Sequence, residues 1–273
     1  MRRCKPLLGT YVEISIKQEN KDDAISLAFS AIEKVQKLMS FHEQYSELSI
    51  INREAHLRAI AIDPWTSKII RIAQDIHQHS GGLFNCGIGH RLVEAKLLPG
   101  NIDIPHHAFG GIEDLQFVGQ DCVISSRPLC LDLGGIAKGF AVDMAVNALK
   151  FNGIHSGNIN AGGDMRIFGN EPQTIHIRDP KVPSNVIEIG SLMNGAIATS
   201  GLYFFNRDQQ QSYIINPLAI KDSDIHHAFS ESFSIIANEC VYADALTKVL
   251  ILSKQETHPC FKRYQAQAIQ IAV

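Results

Sequence analysis

The sequence predicts an α+β fold in which strands and helices are mixed without a strict βαβ alternation. Apolar and polar residues alternate between Tyr11 and Ile16, which indicates a half-buried strand, whereas between Asp22 and Phe41 the apolar residues recur every three or four positions, as in an amphipathic helix. Gly, Pro and Asn clusters separate short apolar segments along the rest of the chain, with no internal repeat and no clear linker. We therefore expect residues 1–273 to form a single unit with two lobes.

The helices follow from apolar spacing and from residues that start or stop a helix. At the second helix, Asp63 can accept hydrogen bonds from free N–H groups, and Pro64 has no N–H group to leave unpaired. Gly81-Gly82 then suits its end. The predicted helices cover about Asp22 to Phe41, Asp63 to Gly82, Gly134 to Leu149 and Ala243 to Leu252.

The remaining apolar segments are short and rich in β-branched or aromatic residues, which is typical of strands. The stretch from Pro99 to Gly111 is rich in Pro, His and Gly and is expected to be a long surface excursion. The predicted strands are Tyr11 to Ile16, Met165 to Phe168, Thr174 to Ile177, Tyr213 to Ile215, Phe233 to Ala237 and Gln267 to Val273.

Composition excludes several classes of protein. Lys and Arg number 25 against 28 Asp and Glu, for a net charge of −3, which argues against nucleic acid as the main partner. The six Cys contain no C-x-x-C pair and are too few for a disulfide scaffold. No apolar run approaches the ~20 residues of a membrane span, and the first residues lack the apolar core of a signal peptide. We expect no membrane span and a cytoplasmic location, or a periplasmic one if a signal or lipid anchor has been trimmed.

The most informative stretch for chemistry is Leu131 to Gly139, with the sequence LDLGGIAKG. An apolar strand end is expected to enter a glycine turn that opens a helix, and helix N-termini suit phosphate groups because their N–H groups are unpaired. Lys138 would add a positive charge, and Asp132 could accept hydrogen bonds from a ligand. The alternative is a tight strand-to-helix turn with a solvated lysine.

Two further features have two interpretations each. The Gly162-Gly163 pair between Asn160 and Asp164 indicates positive φ or a close backbone approach, or else a plain turn. Asp244 is expected at the start of the fourth helix, where the spacing favours a capping role over binding of a hard cation with a hydroxyl one turn later. The 12 His show no metal-ligand frame, and Gly-x-Ser-x-Gly is absent.

The order of these and other short motifs is more specific than any one of them. In chain order they are Pro6 to Thr10, Leu38 to His42, Ser46 to Ser49 with Asn52, Ser80 to Phe84, Leu131 to Gly139, Asn160 to Asp164, Ala198 to Gly201, Ile214 to Pro217 and Ala243 to Thr247. This succession resembles the ApbE family, the FAD:protein FMN transferases, over almost the whole chain.

The resemblance implies an ApbE-like, T-fold-like α+β fold of mixed sheets packed with helices, with two lobes in one unit. It also implies Mg²⁺-dependent transfer of FMN from FAD to a threonine of a target flavoprotein, with release of AMP, so that FAD and that flavoprotein are the expected partners. No catalytic residue is assigned. The implied FAD contacts are Leu8, His42, Leu83, Phe84, Asn85, Asp132, Lys138 and Ile215. The implied metal ligands are the Gly135 carbonyl, the Asp244 carboxylate and, beside it, Thr247.

The chain departs from the family pattern at three places. Asn85 stands where the family has an aspartate, and the family's His-x-x-Asp-Pro-x-Thr-Gly reads Tyr213 to Ile220, with Asn216 in place of its acid. Lys248 replaces the hydroxyl that normally lies four residues after the metal-binding aspartate, and its ammonium would repel Mg²⁺ or occupy its place. The alternative function is therefore a catalytically impaired homologue that binds FAD or another nucleotide without transferring FMN.

Overall fold

The structure is a computed structural model that describes residues 1–100, 108–182, 184–201, 214–219 and 231–271. Its chain divides into two compact units. The first unit comprises Met1–Gln36, Lys138–Gln210 and His227–Val273, and the second comprises Lys37–Ala137 and Gln211–His226. No helix within the described ranges has both the length and the apolar character needed to cross a membrane.

The strands pair in antiparallel fashion throughout the sheets. In chain order they are β1 (Arg2–Leu7), β2 (Thr10–Ile16), β3 (Ile60–Ala61), β4 (Leu115–Phe117), β5 (Cys122–Ser125), β6 (Gly157–Ala161), β7 (Asp164–Phe168), β8 (Gln173–Arg178), β9 (Val186–Leu192), β10 (Ala196–Ser200), β11 (Ser232–Ala237) and β12 (Gln267–Ile271). In the first unit a sheet has the order β1-β2-β6-β7-β10-β11-β12 and β8 pairs with β9, while the second unit holds the sheet β3-β5-β4.

The helices supply much of the buried apolar surface of each unit. In chain order they are α1 (Asp22–Met39), α2 (Glu47–Glu54), α3 (Pro64–His79), α4 (Gly89–Glu94), α5 (Ala137–Phe151), α6 (Cys240–Ser253) and α7 (Pro259–Arg263). Helix α6 packs on β7, β10 and β11 and is buried on nearly all sides. A polar residue of α6 therefore needs a partner inside the first unit.

Most of the predicted elements are confirmed with small shifts at their ends. The first predicted helix is α1, and α3 begins at Pro64, where Asp63 Oδ1 accepts a hydrogen bond of 2.8 Å from the Trp65 N–H. The predicted mixture of helices and strands is the one observed. The Gly162-Gly163 pair forms the turn between β6 and β7, and both glycines have positive φ, +63° and +106°.

Four predictions fail in part or extend beyond the described residues. The strand predicted from Tyr213 to Ile215 is wrong for Ile214 and Ile215, which lie in no strand, while Tyr213 lies outside the described residues. Residues 101–107 of the predicted surface excursion and the last two residues of the final predicted strand also lie outside the described residues. Helix α5 begins at Ala137, so the predicted start at Gly134-Gly135 is a turn that leads into it.

Candidate functional site

Lys138 lies in the first turn of α5, within a group of charged side chains in the first unit. Its Nζ is 2.8 Å from Asp164 Oδ2 and 3.7 Å from Asp244 Oδ2. Asp164 is the first residue of β7, directly after the glycine turn, and it was not among the predicted site residues. The solvated lysine considered from sequence is therefore wrong, because Lys138 is held by two carboxylates and only 33% of its side chain is exposed.

Asp244 does not cap a helix. Helix α6 begins at Cys240, four residues earlier than Asp244, so Asp244 lies inside the helix with only 1% of its side chain exposed. Its Oδ2 accepts a hydrogen bond of 3.0 Å from the Gly139 N–H, and its Oδ1 accepts one from Lys248 Nζ. Gly139 permits this approach of α5 to α6, because a Cβ there would lie 2.2 Å from the Cys240 carbonyl oxygen.

The charges of this group set the protonation of its members. Burial by itself disfavours the charged form of Lys138, but the carboxylates of Asp164 and Asp244 outweigh it and raise the pKa of Lys138. Burial, together with the negative charge of Asp244, raises the pKa of Asp164. For Asp244 burial also acts upward, yet Lys138, Lys248 and the Gly139 N–H outweigh it and lower the pKa, so Asp244 is ionised at neutral pH.

Thr247 is fully buried in α6, and its hydroxyl is turned toward the backbone. It donates a hydrogen bond of 2.7 Å to the Asp244 carbonyl oxygen and accepts one of 3.0 Å from Ser200 Oγ. Lys248 Nζ donates to the same carbonyl at 3.0 Å. The cation alternative considered from sequence needed the Thr247 hydroxyl beside the Asp244 carboxylate, and that hydroxyl bonds to the carbonyl instead.

The fit of Mg²⁺ to Asp244 can be judged from these contacts. Mg²⁺ takes oxygen ligands in an octahedral arrangement and needs carboxylate oxygens that are open to it. Lys248 Nζ and the Gly139 N–H occupy the two oxygens of Asp244, and Lys138 Nζ holds Asp164. Among the described residues, no group of three or more His, Cys, Asp or Glu is placed to hold a metal ion. The donor set at Asp244 therefore does not fit Mg²⁺ while Lys248 is in this position.

Asp143 and Arg166 hold the helix that carries Asp244, and the sequence analysis missed both. Asp143 Oδ1 accepts hydrogen bonds from Cys240 N (3.0 Å) and Arg166 Nη1 (2.7 Å), and Oδ2 accepts one from Val241 N (2.8 Å). The carboxylate thus satisfies free N–H groups at the start of α6. One signal was available, because Asp143 is the single acidic residue of the apolar helix α5.

In the second unit, the segment before α5 is fixed by a side chain rather than by a strand. Asn52 Nδ2 donates to the Leu131 carbonyl at 2.9 Å, and Leu131 N–H donates to Asn52 Oδ1 at 2.7 Å. The strand end expected at Leu131 is therefore wrong, since the Asn52 amide bonds there as a strand neighbour would. At the next residue, Asp132 Oδ1 accepts a hydrogen bond of 3.2 Å from the Gly134 N–H, which shapes the turn that contains Gly135.

Asn85, in the second unit, bridges three neighbours. Its Oδ1 accepts hydrogen bonds from Gly87 N (2.8 Å) and Ile112 N (3.1 Å), and its Nδ2 donates to Glu113 Oε2 at 3.1 Å. The family aspartate is missing at this position, but the carboxylate of Glu113 lies beside it. Glu113 could not have been found from the sequence, because it lies 28 residues away and in no motif.

The other predicted FAD contacts differ in their accessibility. His42 is exposed, Leu8 and Leu83 are half-buried, and Phe84 and Ile215 are buried in the core. Leu8 occupies the turn between β1 and β2 with φ +55°, which is unusual for a residue other than glycine. The first unit thus brings together Lys138, Asp244 and Thr247 and also contains Leu8. The other predicted site residues, His42, Leu83, Phe84, Asn85, Asp132, Gly135 and Ile215, belong to the second unit.

The departure at Asn216 has a local structural role. Asn216 Oδ1 accepts from the Leu218 N–H at 3.0 Å, and its carbonyl accepts from Arg91 Nη1 at 2.7 Å. The amide therefore stabilises a turn. Tyr213 and Ile220, at the two ends of the same motif, lie outside the described residues.

Known proteins resemble this chain over almost its whole length. An FAD:protein FMN transferase of Vibrio cholerae is 28% identical over 272 residues, covering 92% of this chain and 80% of the relative. One of Rhodobacter capsulatus is 29% identical over 222 residues, covering 74% of this chain and 41% of the relative.

Solved structures give the same result. The flavin transferase ApbE of Vibrio cholerae superposes with a TM-score of 0.82 at 25% identity, covering 100% of this chain and 93% of that one. The ApbE protein of Thermotoga maritima superposes with a TM-score of 0.79 at 25% identity, covering 99% and 93%. The model of the ApbE family matches residues 8–271. The chain belongs to the ApbE family.

Proposed function

We propose that residues 1–273 act as a single ApbE-like domain that transfers FMN from FAD to a threonine hydroxyl of a target flavoprotein and releases AMP. The observation that carries this proposal is the extent of the family match, since residues 8–271 include parts of both units. Relatives that are similar over most of the chain are FAD:protein FMN transferases.

The chemistry is a phosphoryl-type transfer. The threonine Oγ attacks the phosphorus on the FMN side of the FAD pyrophosphate, and the bond from that phosphorus to the bridging oxygen breaks. AMP leaves with that oxygen, and the proton of the threonine hydroxyl passes to the phosphate of the departing AMP. Such a reaction needs the anion to be positioned and its developing charge to be stabilised. Helix α5 begins after the Gly134-Gly135 turn, and the N–H groups at its N-terminus suit a pyrophosphate. Lys138, in the first turn of α5, carries a positive charge at the same end of the helix.

The other predicted FAD contacts divide into three kinds. Leu8, His42 and Leu83 have exposed surface that an isoalloxazine or adenine ring can cover. Phe84 and Ile215 are buried in the core and would support the binding surface from beneath. The Asp132 carboxylate and the Asn85 amide would orient the substrate through hydrogen bonds, in addition to the turns that they stabilise.

Mg²⁺ is the remaining part of the expectation, with Gly135, Asp244 and Thr247 as its ligands. When bound, a divalent cation would neutralise charge on the pyrophosphate. The contacts of Asp244 do not fit it, so no step of the proposed reaction passes through a metal ion.

A second candidate function is binding of FAD without transfer. The ion pair between Lys248 and Asp244 favours it, because the single positive charge of Lys248 stands where a divalent cation would bring two charges to stabilise the leaving group. Asn85, in place of a carboxylate, favours it as well.

A transfer assay separates the two candidates. The purified chain is incubated with FAD and an acceptor flavoprotein domain, and the mass of the acceptor and the AMP released are measured. Transfer predicts one FMN per acceptor with equal AMP, and none on an acceptor whose threonine is replaced by valine. Lys138→Met should abolish transfer, whereas Lys150→Met, at the far end of the same helix, should not. FAD retention without any mass increase would favour the second candidate.

A further inference from the structure

The charged group around Asp244 contains equal numbers of acids and bases. Asp164 and Asp244 supply two carboxylates, and Lys138 and Lys248 supply two ammonium groups, all within ion-pair distance of a partner. Asp244 and Lys248 lie four residues apart on α6 and so share one face of the helix. Only 18% of the Lys248 side chain is exposed. The group is therefore neutral and largely shielded from water.

Lys248 Nζ lies within hydrogen-bond distance of two oxygens of Asp244. It donates to Asp244 Oδ1 and, at 3.0 Å, to the Asp244 carbonyl oxygen. A hard cation bound to Asp244 would take the same carboxylate oxygen. The ammonium and a metal ion cannot both occupy that position, because their charges repel and their ligand is shared.

The nearby hydroxyl does not rescue a metal site. Thr247 stands three residues after Asp244, and its proton is donated to the Asp244 carbonyl rather than left for another role. Ser200 Oγ donates to the Thr247 oxygen from β10. Both hydroxyls are thus bonded within the first unit.

We propose that the Lys248 ammonium replaces the divalent cation at Asp244, so that this position takes no Mg²⁺. The proposal rests on the proposed function only for where a cation is expected. Lys248 supplies one positive charge, and it holds the Asp244 carboxylate ionised and oriented as a metal ion would. With Lys138 and the carboxylates of Asp164 and Asp244 it completes a group with no net charge.

The test measures cation binding without FAD or acceptor, so its result is independent of whether the chain transfers FMN. Mn²⁺, which also prefers oxygen ligands, is titrated and followed by electron paramagnetic resonance, and the effect of Mg²⁺ on the melting temperature is recorded. Three proteins are compared: the wild type, Lys248→Thr, and Lys17→Met as a matched control that removes a lysine from the exposed ion pair with Glu171.

We expect the wild type and Lys17→Met to show no saturable Mn²⁺ site and no Mg²⁺-dependent change in melting temperature. Lys248→Thr should gain a saturable Mn²⁺ site with an affinity at least about tenfold higher than the residual, non-saturable Mn²⁺ binding of the wild type, and adding Asp244→Asn to it should remove that site. A saturable site in the wild type that is lost in Asp244→Asn would overturn the proposal, as would a folded Lys248→Thr that binds no better than the wild type. If Lys248→Thr does not fold, Lys248→Met preserves the length of the side chain without its charge and is subject to the same comparison.

Discussion

Replacing Asn52 with Ala should destabilise the second unit by about 2–6 kcal/mol. The Asn52 amide is 4% exposed and makes two hydrogen bonds to Leu131, of 2.9 and 2.7 Å. Because Leu131 is fully buried, the variant leaves its N–H and its carbonyl without that partner and away from water. Each buried group left unpaired costs ~1–3 kcal/mol, which exceeds the ~1 kcal/mol that a typical hydrogen bond contributes.

The assay is urea unfolding followed by the fluorescence of Trp65, the single tryptophan of the chain, which lies in α3 of the second unit. Hydrogen exchange of the peptide that contains Leu131 gives a local measurement. Arg58→Ala is the control, because it removes an exposed ion pair with Glu54 of the same helix α2 and should cost ~1 kcal/mol or less.

An Asn52→Ala variant whose free energy of unfolding falls by no more than that of Arg58→Ala would refute this account of Leu131. Unchanged exchange at Leu131 would do the same, because the Asn52 carboxamide would then not be what protects that amide. If the account holds, the affinity for FAD should fall as well, since Leu131 directly precedes Asp132 and the turn that leads into α5.

Three further perturbations test other contacts of the first unit. Gly139→Ala should lower the free energy of unfolding by about 1–3 kcal/mol in thermal denaturation, although helix propensity alone would raise it by about 1 kcal/mol, because the new Cβ meets the Cys240 carbonyl. Leu8→Asn should raise stability by about 1 kcal/mol, since Asn tolerates the positive φ, and should weaken FAD binding measured by fluorescence quenching. Asp244 has a pKa below its ordinary 3.8, so its stabilisation is present above that pH and is lost as pH falls through the lowered value. In urea unfolding, the free energy of unfolding of Asp244→Asn should therefore fall less between neutral pH and pH 3 than that of the wild type.

The elements that the sequence predicts well are those whose signals are local. Helix α1 has an apolar stripe, and α3 has both a stripe and its own capping residue, Asp63, next to it. The start of α6 was misplaced for the opposite reason. Its first N–H groups are paired with Asp143, about a hundred residues earlier, and the helix is buried on so many sides that no stripe marks its beginning.

The same distinction holds in the candidate site. Lys138 and Asp244 lie in motifs, so the sequence singles them out, whereas it marks Asp164 only as the end of a turn and does not mark Glu113. Both belong to the candidate site because of a partner that is distant along the chain: Asp164 pairs with Lys138, and Glu113 accepts a hydrogen bond from Asn85. Leu131 was expected in a strand because it is apolar, but its actual partner is a side chain 79 residues away. Pairings of this kind depend on the folded chain and leave no spacing to detect.

The contacts that maintain the fold around Asp244 do not depend on a metal ion. Asp143 and Arg166 tie α5, β7 and α6 together, and the Gly139 N–H reaches the Asp244 carboxylate directly. A lysine at position 248 can therefore replace a cation without disturbing the family fold. What changes is the charge near the substrate, since an ammonium attracts an anion half as strongly as a divalent ion at the same distance. The substitution is thus expected to reduce stabilisation of the transition state more than recognition of FAD, because the residues proposed to contact the aromatic rings of FAD do not depend on this charge.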